Sequence, residues 1–158
     1  METLQYSAKQ FKLVCLREIH VSSGTLDNPA QCAQVWRETI PQQEWFDKEK
    51  ESFVVFFLSV RRKLKGFHLV SLGNLDTCVV HPREVFRPAI VACAAAVILF
   101  HNHPSGDPTP SEPDVKVTRD IMRAGQLLKI EVLDHIVIGH PSTTNEKGFS
   151  SLRDLGYF

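Results

Sequence analysis

Two histidines and one aspartate have the residue types and the spacing of a metal site. His101 and His103 follow directly on the apolar run 97–100, and Asp114 comes after a proline-rich loop. In extended backbone, residues i and i+2 point to the same side, so the two imidazoles can converge on one ion. Asp114 can add a carboxylate oxygen as the third ligand. Three protein ligands leave the fourth tetrahedral position to water, which is the arrangement of a catalytic zinc site.

Each part of this set also has an ordinary structural explanation. Ser111 and Asp114 have the spacing of a helix capping box, and a His-x-His pair alone is a weak signal because most histidines lie at the surface or are satisfied in the core. The combination is harder to explain by packing. Two histidines that face the same way end a strand, and a loop with three prolines joins them to an acidic residue just inside the next helix. The combination therefore favours a metal site.

The surrounding sequence predicts a mixed α/β domain that would position these residues. Strands are predicted from apolar, β-branched and aromatic runs, and helices from capping residues and amphipathic spacing. Pro88 is expected to kink the second helix or to shorten its first half. Residues 1–27 are predicted to form an N-terminal strand and linker that pack on a domain of residues 28–158. The predicted strands are 11–16, 53–58, 66–71, 77–80, 97–100, 130–138 and 149–152, and the predicted helices are 29–38, 82–93 and 111–128.

Composition limits the classes of function. The chain has 158 residues, enough for one domain with a sizeable core, and its apolar content of 43% argues against disorder as the main state. Lysine plus arginine and aspartate plus glutamate both number 18, so the basic excess that is typical of strong phosphate binding is missing. The N-terminus lacks the pattern of a secretory signal, and the longest apolar run, 92–100, is too short to span a bilayer. We expect a cytoplasmic protein without membrane contact.

The four cysteines give little support to a cysteine metal site. They occur at positions 15, 32, 78 and 93 and include no Cys-x-x-Cys pair. Cys78 and Cys93 lie in apolar stretches, and we expect both to be small buried side chains.

The extended sequence His-Asn-His-Pro-Ser-Gly-Asp-Pro-x-Pro-Ser-x-x-Asp, from His101 to Asp114, resembles the JAMM motif of the JAB/MPN metallopeptidase family in the form of its RadC branch. The stretches 80–86 and 133–139 also resemble RadC proteins, whereas Lys129 stands where a glycine is usual. The resemblance covers about residue 28 to the C-terminus. It implies a JAB1/MPN-like, cytidine-deaminase-like domain that binds one zinc ion through His101, His103 and Asp114. The helix-hairpin-helix region that often precedes this domain in longer RadC proteins is not expected in this chain.

The resemblance also implies catalytic residues for the hydrolysis of a peptide or isopeptide bond. Ser111 matches a serine that helps to stabilise the oxyanion, and a glutamate shuttles a proton from water to the leaving amine. In the family that glutamate stands just before the first core strand, which favours Glu51. Glu84 is the alternative, although a glutamate in a first helical turn is also explained by the helix dipole. His135, inside an apolar strand, is expected to belong to the core or to orient a ligand.

Three hypotheses for function stay open at this stage. The first is a zinc hydrolase with a peptide or protein substrate. The second is a nucleic-acid-associated protein, since RadC proteins are commonly assigned to DNA repair, although the neutral charge does not favour it. The third is a metal-bearing interaction module without turnover, because JAB/MPN domains also serve in assemblies.

Overall fold

The computed structural model describes residues 24–73 and 80–158. Within them the chain forms strands interspersed with helices, which makes the fold α/β as predicted. The helices are α1 (Pro29–Thr39), α2 (Pro82–Val91) and α3 (Glu112–Leu128), with a short 3-10 helix at Ile40–Gln42. The strands are β1 (Ser52–Leu58), β2 (Leu64–Leu72), β3 (Ala96–Asn102), β4 (Glu131–Ile138) and β5 (Phe149–Ser151).

The strands form one five-stranded sheet in the order β2-β1-β3-β4-β5. Strands β3 and β4 are parallel and are joined through α3, whereas the other neighbours are antiparallel. The predicted strand at 11–16 and most of the one at 77–80 lie outside the described residues, and Val80 itself is not in a strand. In the part of the chain that the structure describes, no helix combines the length and the apolar character needed to cross a membrane.

The sheet is buried on both faces because its central strands are apolar on both sides. In β1 every residue is buried, and alternate side chains belong to two separate clusters. Phe56 packs with residues of α1 in one cluster, and Phe53 packs with residues of α2 and α3 in the other. This double burial explains why β1 and β3 have continuous apolar runs rather than an alternating pattern.

Helix α2 differs from its prediction in two details. It runs through Pro88 without interruption and ends at Val91, so the shortening of its first half, one of the two effects expected of the proline, does not occur. Because the helix ends before the predicted limit, Cys93 lies in the turn that follows, with φ 48° and an exposed side chain. The expectation that Cys93 is buried is therefore wrong, and Cys78 lies outside the described residues.

The C-terminal end of α3 shows why a glycine would suit position 129, where this chain has a lysine. Lys129 caps the helix in the left-handed conformation, with φ 57°. This conformation favours glycine because a Cβ atom crowds the backbone there. Lysine therefore occupies a position where the local backbone itself would favour glycine.

Gly125→Ala should destabilise the fold even though alanine favours helix. A Cβ atom at this position would lie 2.6 Å from the Ile130 carbonyl oxygen and 3.1 Å from side-chain atoms of Phe86 and Val132. Helix propensity would contribute about 1 kcal/mol in favour of alanine, whereas overpacking costs about 1–3 kcal/mol. We therefore expect a lower urea midpoint. Gly24→Ala is the control, because a Cβ there meets no atom within 4 Å. A midpoint for Gly125→Ala at or above the wild-type value would contradict the prediction.

Candidate metal centre

The end of the central strand β3 positions both histidines. His101 is completely buried and is paired with Phe53 of β1 and Val137 of β4. His103 follows the last residue of β3, and its backbone N–H donates to the Ile138 carbonyl at 2.9 Å. Because this bond continues the strand direction past Asn102, the side chains of both histidines lie on the same side, as the spacing predicts.

The first turn of α3 positions the aspartate. Ser111 is the N-cap, and the capping box with Asp114 is complete. The Ser111 backbone N–H and hydroxyl both donate to Asp114 Oδ2 at 2.7 Å, while the Asp114 N–H donates to Ser111 Oγ at 3.3 Å. The ordinary structural role that the sequence allowed for these two residues is thus present. The capping bonds engage Asp114 Oδ2, whereas Asp114 Oδ1 faces His101 Nε2, 3.4 Å away.

The three side chains have the separation that a tetrahedral metal ion requires. His101 Nε2 lies 2.9 Å from His103 Nε2 and 3.4 Å from Asp114 Oδ1, and the candidate ligand atoms of the three residues all lie within 4.8 Å of one another. Ligands about 2.05 Å from a tetrahedral ion are about 3.3 Å apart, which lies inside this range. The donor set of two imidazole nitrogens and one carboxylate is one that zinc accepts. The residues therefore have the donor types and the proximity that fit a bound metal ion.

Electrostatics favour an ionised carboxylate between the imidazoles. Burial opposes the charge on Asp114, but hydrogen bonds from His101, His103 and Ser111 outweigh it and hold its pKa well below the usual range. Burial likewise opposes the charge on His103, yet the hydrogen bonds to Asp114 and to the Asp107 carbonyl, together with the negative charges of Asp114 and Glu51, outweigh it and raise the pKa of the imidazole. A carboxylate that stays ionised is ready to ligate a cation.

The loop between the histidines and α3 packs tightly on the end of β4. The His140 N–H donates to the Gly106 carbonyl at 2.8 Å. A Cβ atom at Gly139 would lie 2.2 Å from that carbonyl oxygen and 2.9 Å from Pro108. The backbone of the loop therefore contacts the backbone that follows β4, and this contact fixes the path of the chain from His103 to the start of α3.

The structure places Glu51 beside this centre. Glu51 is half-buried immediately before β1, and its negative charge contributes to the raised pKa of His103. Asn102, between the two histidines, holds the backbone on both sides of Glu51. Its Nδ2 donates to the Lys50 carbonyl at 3.0 Å, and its Oδ1 accepts from the Ser52 N–H at 2.9 Å. The strand that carries the histidines therefore fixes the position of the glutamate as well.

Glu84 has different neighbours. It lies in the first turn of α2 and forms ion pairs with Arg83 at 3.2 Å and with Arg87 at 3.1 Å. Its charge acts on His68 of β2 rather than on the candidate ligands. These contacts match the explanation of Glu84 as a residue that supports the start of a helix.

Three further residues, His135, Thr118 and Asn102, form hydrogen bonds around the candidate ligands. Only His135 was identified from the sequence. His135 does not belong to the ligand cluster and instead contacts His101, as expected of a residue that orients a ligand. Thr118 bonds to His135, and Asn102 holds the backbone around Glu51. Thr118 stands one helical turn after Asp114, a spacing that could have indicated it. Asn102 carried no comparable signal, because its partners depend on the pairing of β1 with β3.

Fold and site together define an α/β domain with a candidate metal centre at the end of its central strand. The model of the RadC-like JAB domain matches residues 26–157, so the chain belongs to this family. The five-stranded sheet with its helices on both faces agrees with the single JAB/MPN-like domain expected from the motif.

Relatives occur in bacteria and archaea. The chain is 49% identical over 109 residues to a UPF0758 protein of Caldanaerobacter subterraneus, an alignment that covers 69% of this chain and 44% of the relative. It is 41% identical over 111 residues to a UPF0758 protein of Methanosarcina mazei, covering 70% and 46%. A third, from Bacillus cereus, is 39% identical over 133 residues, covering 84% and 54%. The matched part of this chain thus spans about half the length of these curated relatives.

Proposed function

We propose that this protein is a zinc-dependent hydrolase of the JAMM type that cleaves a peptide or isopeptide bond. The observation that carries the proposal is the convergence of His101, His103 and Asp114, whose candidate ligand atoms lie within 4.8 Å of one another, with the charge of Glu51 acting on His103. Two imidazoles and a carboxylate leave one position open, which distinguishes a catalytic zinc site from a closed structural one.

Each residue of the centre has a part in this chemistry. A bound zinc ion would polarise the scissile carbonyl and lower the pKa of water toward neutrality. Glu51, placed beside His103 but outside the ligand set, would accept the proton from water and deliver it to the leaving amine. Ser111 is the candidate for stabilising the oxyanion. Its hydroxyl proton is directed at Asp114 Oδ2, so this role requires the hydroxyl to rotate toward substrate.

Two observations favour Glu51 over Glu84 as the proton shuttle. Glu51 is fixed next to the histidine strand through its flanking residues, which the Asn102 side chain binds. Glu84 is engaged by two arginines on its own helix. A general base must lie within hydrogen-bond reach of the proton that it takes, so position decides between two chemically equivalent groups.

The proposal is tested with purified, zinc-replete protein and libraries of quenched fluorescent peptides and isopeptide-linked peptides. We expect cleavage that is lost with a chelator and restored by added zinc. Asp114→Asn is the matched inactive control, because asparagine keeps the shape of the side chain and removes its charge. Zinc-loaded protein that cleaves neither library would instead support the metal-bearing interaction module.

Nucleic-acid binding should be weak. Because acidic and basic residues both number 18, the chain lacks the net positive charge that usually supports phosphate neutralisation. We expect at most a weak, salt-sensitive interaction with duplex DNA in a fluorescence anisotropy titration at physiological salt. Nanomolar binding would contradict this expectation and support a nucleic-acid-associated role.

Removal of the metal should leave the fold intact. The two core clusters bury apolar side chains from all three helices and from β1 and β3, and they do not depend on an ion. A ligand that binds only the folded state raises its stability, so chelation should lower the melting temperature. Far-ultraviolet circular dichroism of the chelated protein should retain the native spectrum at room temperature. Loss of that spectrum would show a structural metal site.

A further inference from the structure

A chain of buried hydrogen bonds joins two of the three candidate ligands behind the metal centre. His101 Nδ1 lies 2.8 Å from His135 Nε2, and His135 Nδ1 lies 2.6 Å from Thr118 Oγ1. The Thr118 hydroxyl donates in turn to the Asp114 carbonyl oxygen at 2.6 Å. His101, His135 and Thr118 are all completely buried. The chain therefore runs from the side chain of one ligand to the main chain of another without contact with solvent.

If His101 is to bind a metal through Nε2, the protons in this hydrogen-bond chain can be arranged in only one direction. His101 Nε2 faces His103 and Asp114, so its lone pair must be free for the ion. The proton of a neutral imidazole then sits on Nδ1 and is donated to His135 Nε2. His135 in turn carries its proton on Nδ1 and donates it to Thr118 Oγ1.

The opposite direction would block the metal. If His135 donated through Nε2, His101 Nδ1 would be the acceptor and its proton would move to Nε2, into the space of the ion. The bond from Thr118 to Asp114 favours the first direction, because the single hydroxyl proton is already donated to the carbonyl. Thr118 Oγ1 is then left as an acceptor for His135 Nδ1.

We propose that His135 is a positioning residue that holds His101 in the metal-binding tautomer, and that Thr118 fixes His135 and ties it to the helix turn that carries Asp114. The proposal rests on the proposed metal role of His101. A ligating histidine usually donates its second N–H to a carboxylate, a carbonyl or water. Here the acceptor is a neutral imidazole, whose tautomer is selected by a threonine.

A neutral hydrogen-bond acceptor suits the pocket beside His101 Nδ1. Phe53 packs against both rings, with centroid distances of 6.3 Å to His101 and 5.3 Å to His135. A second carboxylate in this apolar pocket would be a buried charge close to Asp114, which is costly unless it is paired. An imidazole accepts the same hydrogen bond without adding that charge.

The direct test is long-range proton–nitrogen correlation NMR on the zinc-loaded full chain with labelled histidines. We expect His101 to carry its proton on Nδ1 with Nε2 bound to metal, and His135 to carry its proton on Nδ1. Zinc-loaded protein with the His135 proton on Nε2, or with His135 doubly protonated, would overturn this inference alone. A sample that binds no zinc, measured by elemental analysis, would contradict both the metal site and the inference.

Substitutions provide a second, independent measurement. His135→Leu removes the acceptor and should weaken zinc affinity by about 10- to 100-fold in a competition titration with a chromogenic chelator. His135→Gln keeps an acceptor near the position of Nε2 and should recover much of the loss. Thr118→Val should weaken binding less, and Thr118→Ser should restore it.

Val132→Ala is the matched control for loss of packing. It shortens another buried side chain of β4 and should lower the melting temperature while zinc affinity stays at the wild-type value. Wild-type affinity in His135→Leu, or equal losses in His135→Leu and His135→Gln, would show that His135 has only a packing role.

Discussion

Replacement of either His101 or Asp114 by alanine should remove most of the zinc that the protein carries. The wild-type protein, expressed with ample zinc and passed through gel filtration, should contain about one zinc ion per chain by elemental analysis. Each substitution deletes one of the three converging candidate ligands. Two ligands bind an ion far more weakly, because water must then complete half of the tetrahedron.

The substitution of Asp114 needs a control for the role of its side chain in capping α3. The Asp114 side chain also accepts from Ser111, and loss of a cap costs about 1 kcal/mol of stability. Ser111→Ala removes the cap hydroxyl without removing a ligand and should keep its zinc. Equal and negligible metal in the wild type and the ligand variants would refute the metal site itself.

Glu51→Gln should abolish turnover without loss of zinc. Glutamine preserves the shape of the side chain and removes its capacity to accept a proton. The expected loss is about 10²- to 10⁴-fold in kcat, the usual contribution of general acid–base catalysis. The measurement uses a substrate selected from the peptide and isopeptide libraries, together with zinc content and circular dichroism of each variant.

Glu84→Gln is the matched comparison for that experiment. It makes the same chemical change in a glutamate that pairs with Arg83 and Arg87. Most activity should remain, since the effect is limited to the start of α2. The opposite pattern, with an active Glu51→Gln and an inactive Glu84→Gln, would assign the proton shuttle to Glu84 and leave the metal site in place.

Much of the fold could be predicted because its elements carry strong local signals. Asn28 and Pro29 predicted the start of α1, and the Asn28 side chain does accept from the Gln31 N–H. The apolar run 53–58 predicted a buried strand because β1 is covered on both faces. His101, His103 and Asp114 could be chosen because their spacing leads from the end of a strand into the next helix, which is itself a local pattern.

Contacts between distant segments could not be predicted from the sequence. Asn102 meets the backbone around Glu51 only because β1 and β3 pair in one particular register, with Phe53 opposite His101. The exposure of Cys93 depends on the residue at which α2 ends, and a boundary is less certain than the element itself. Both are properties of tertiary structure, on which spacing along the chain gives no information.

The antiparallel pairing of β1 with β3 sets the position of Glu51 relative to the histidines. It brings the residue before β1 and the residue after β3 to the same end of the sheet, beyond the pair of Phe53 and His101, where the Asn102 side chain binds the backbone on both sides of Glu51. Asn102 itself belongs to β3, so the sheet supplies this contact from one of its own strands. Loops around the centre can therefore change in length and sequence, while the placement of Glu51 relative to the two histidines follows from the register of two strands.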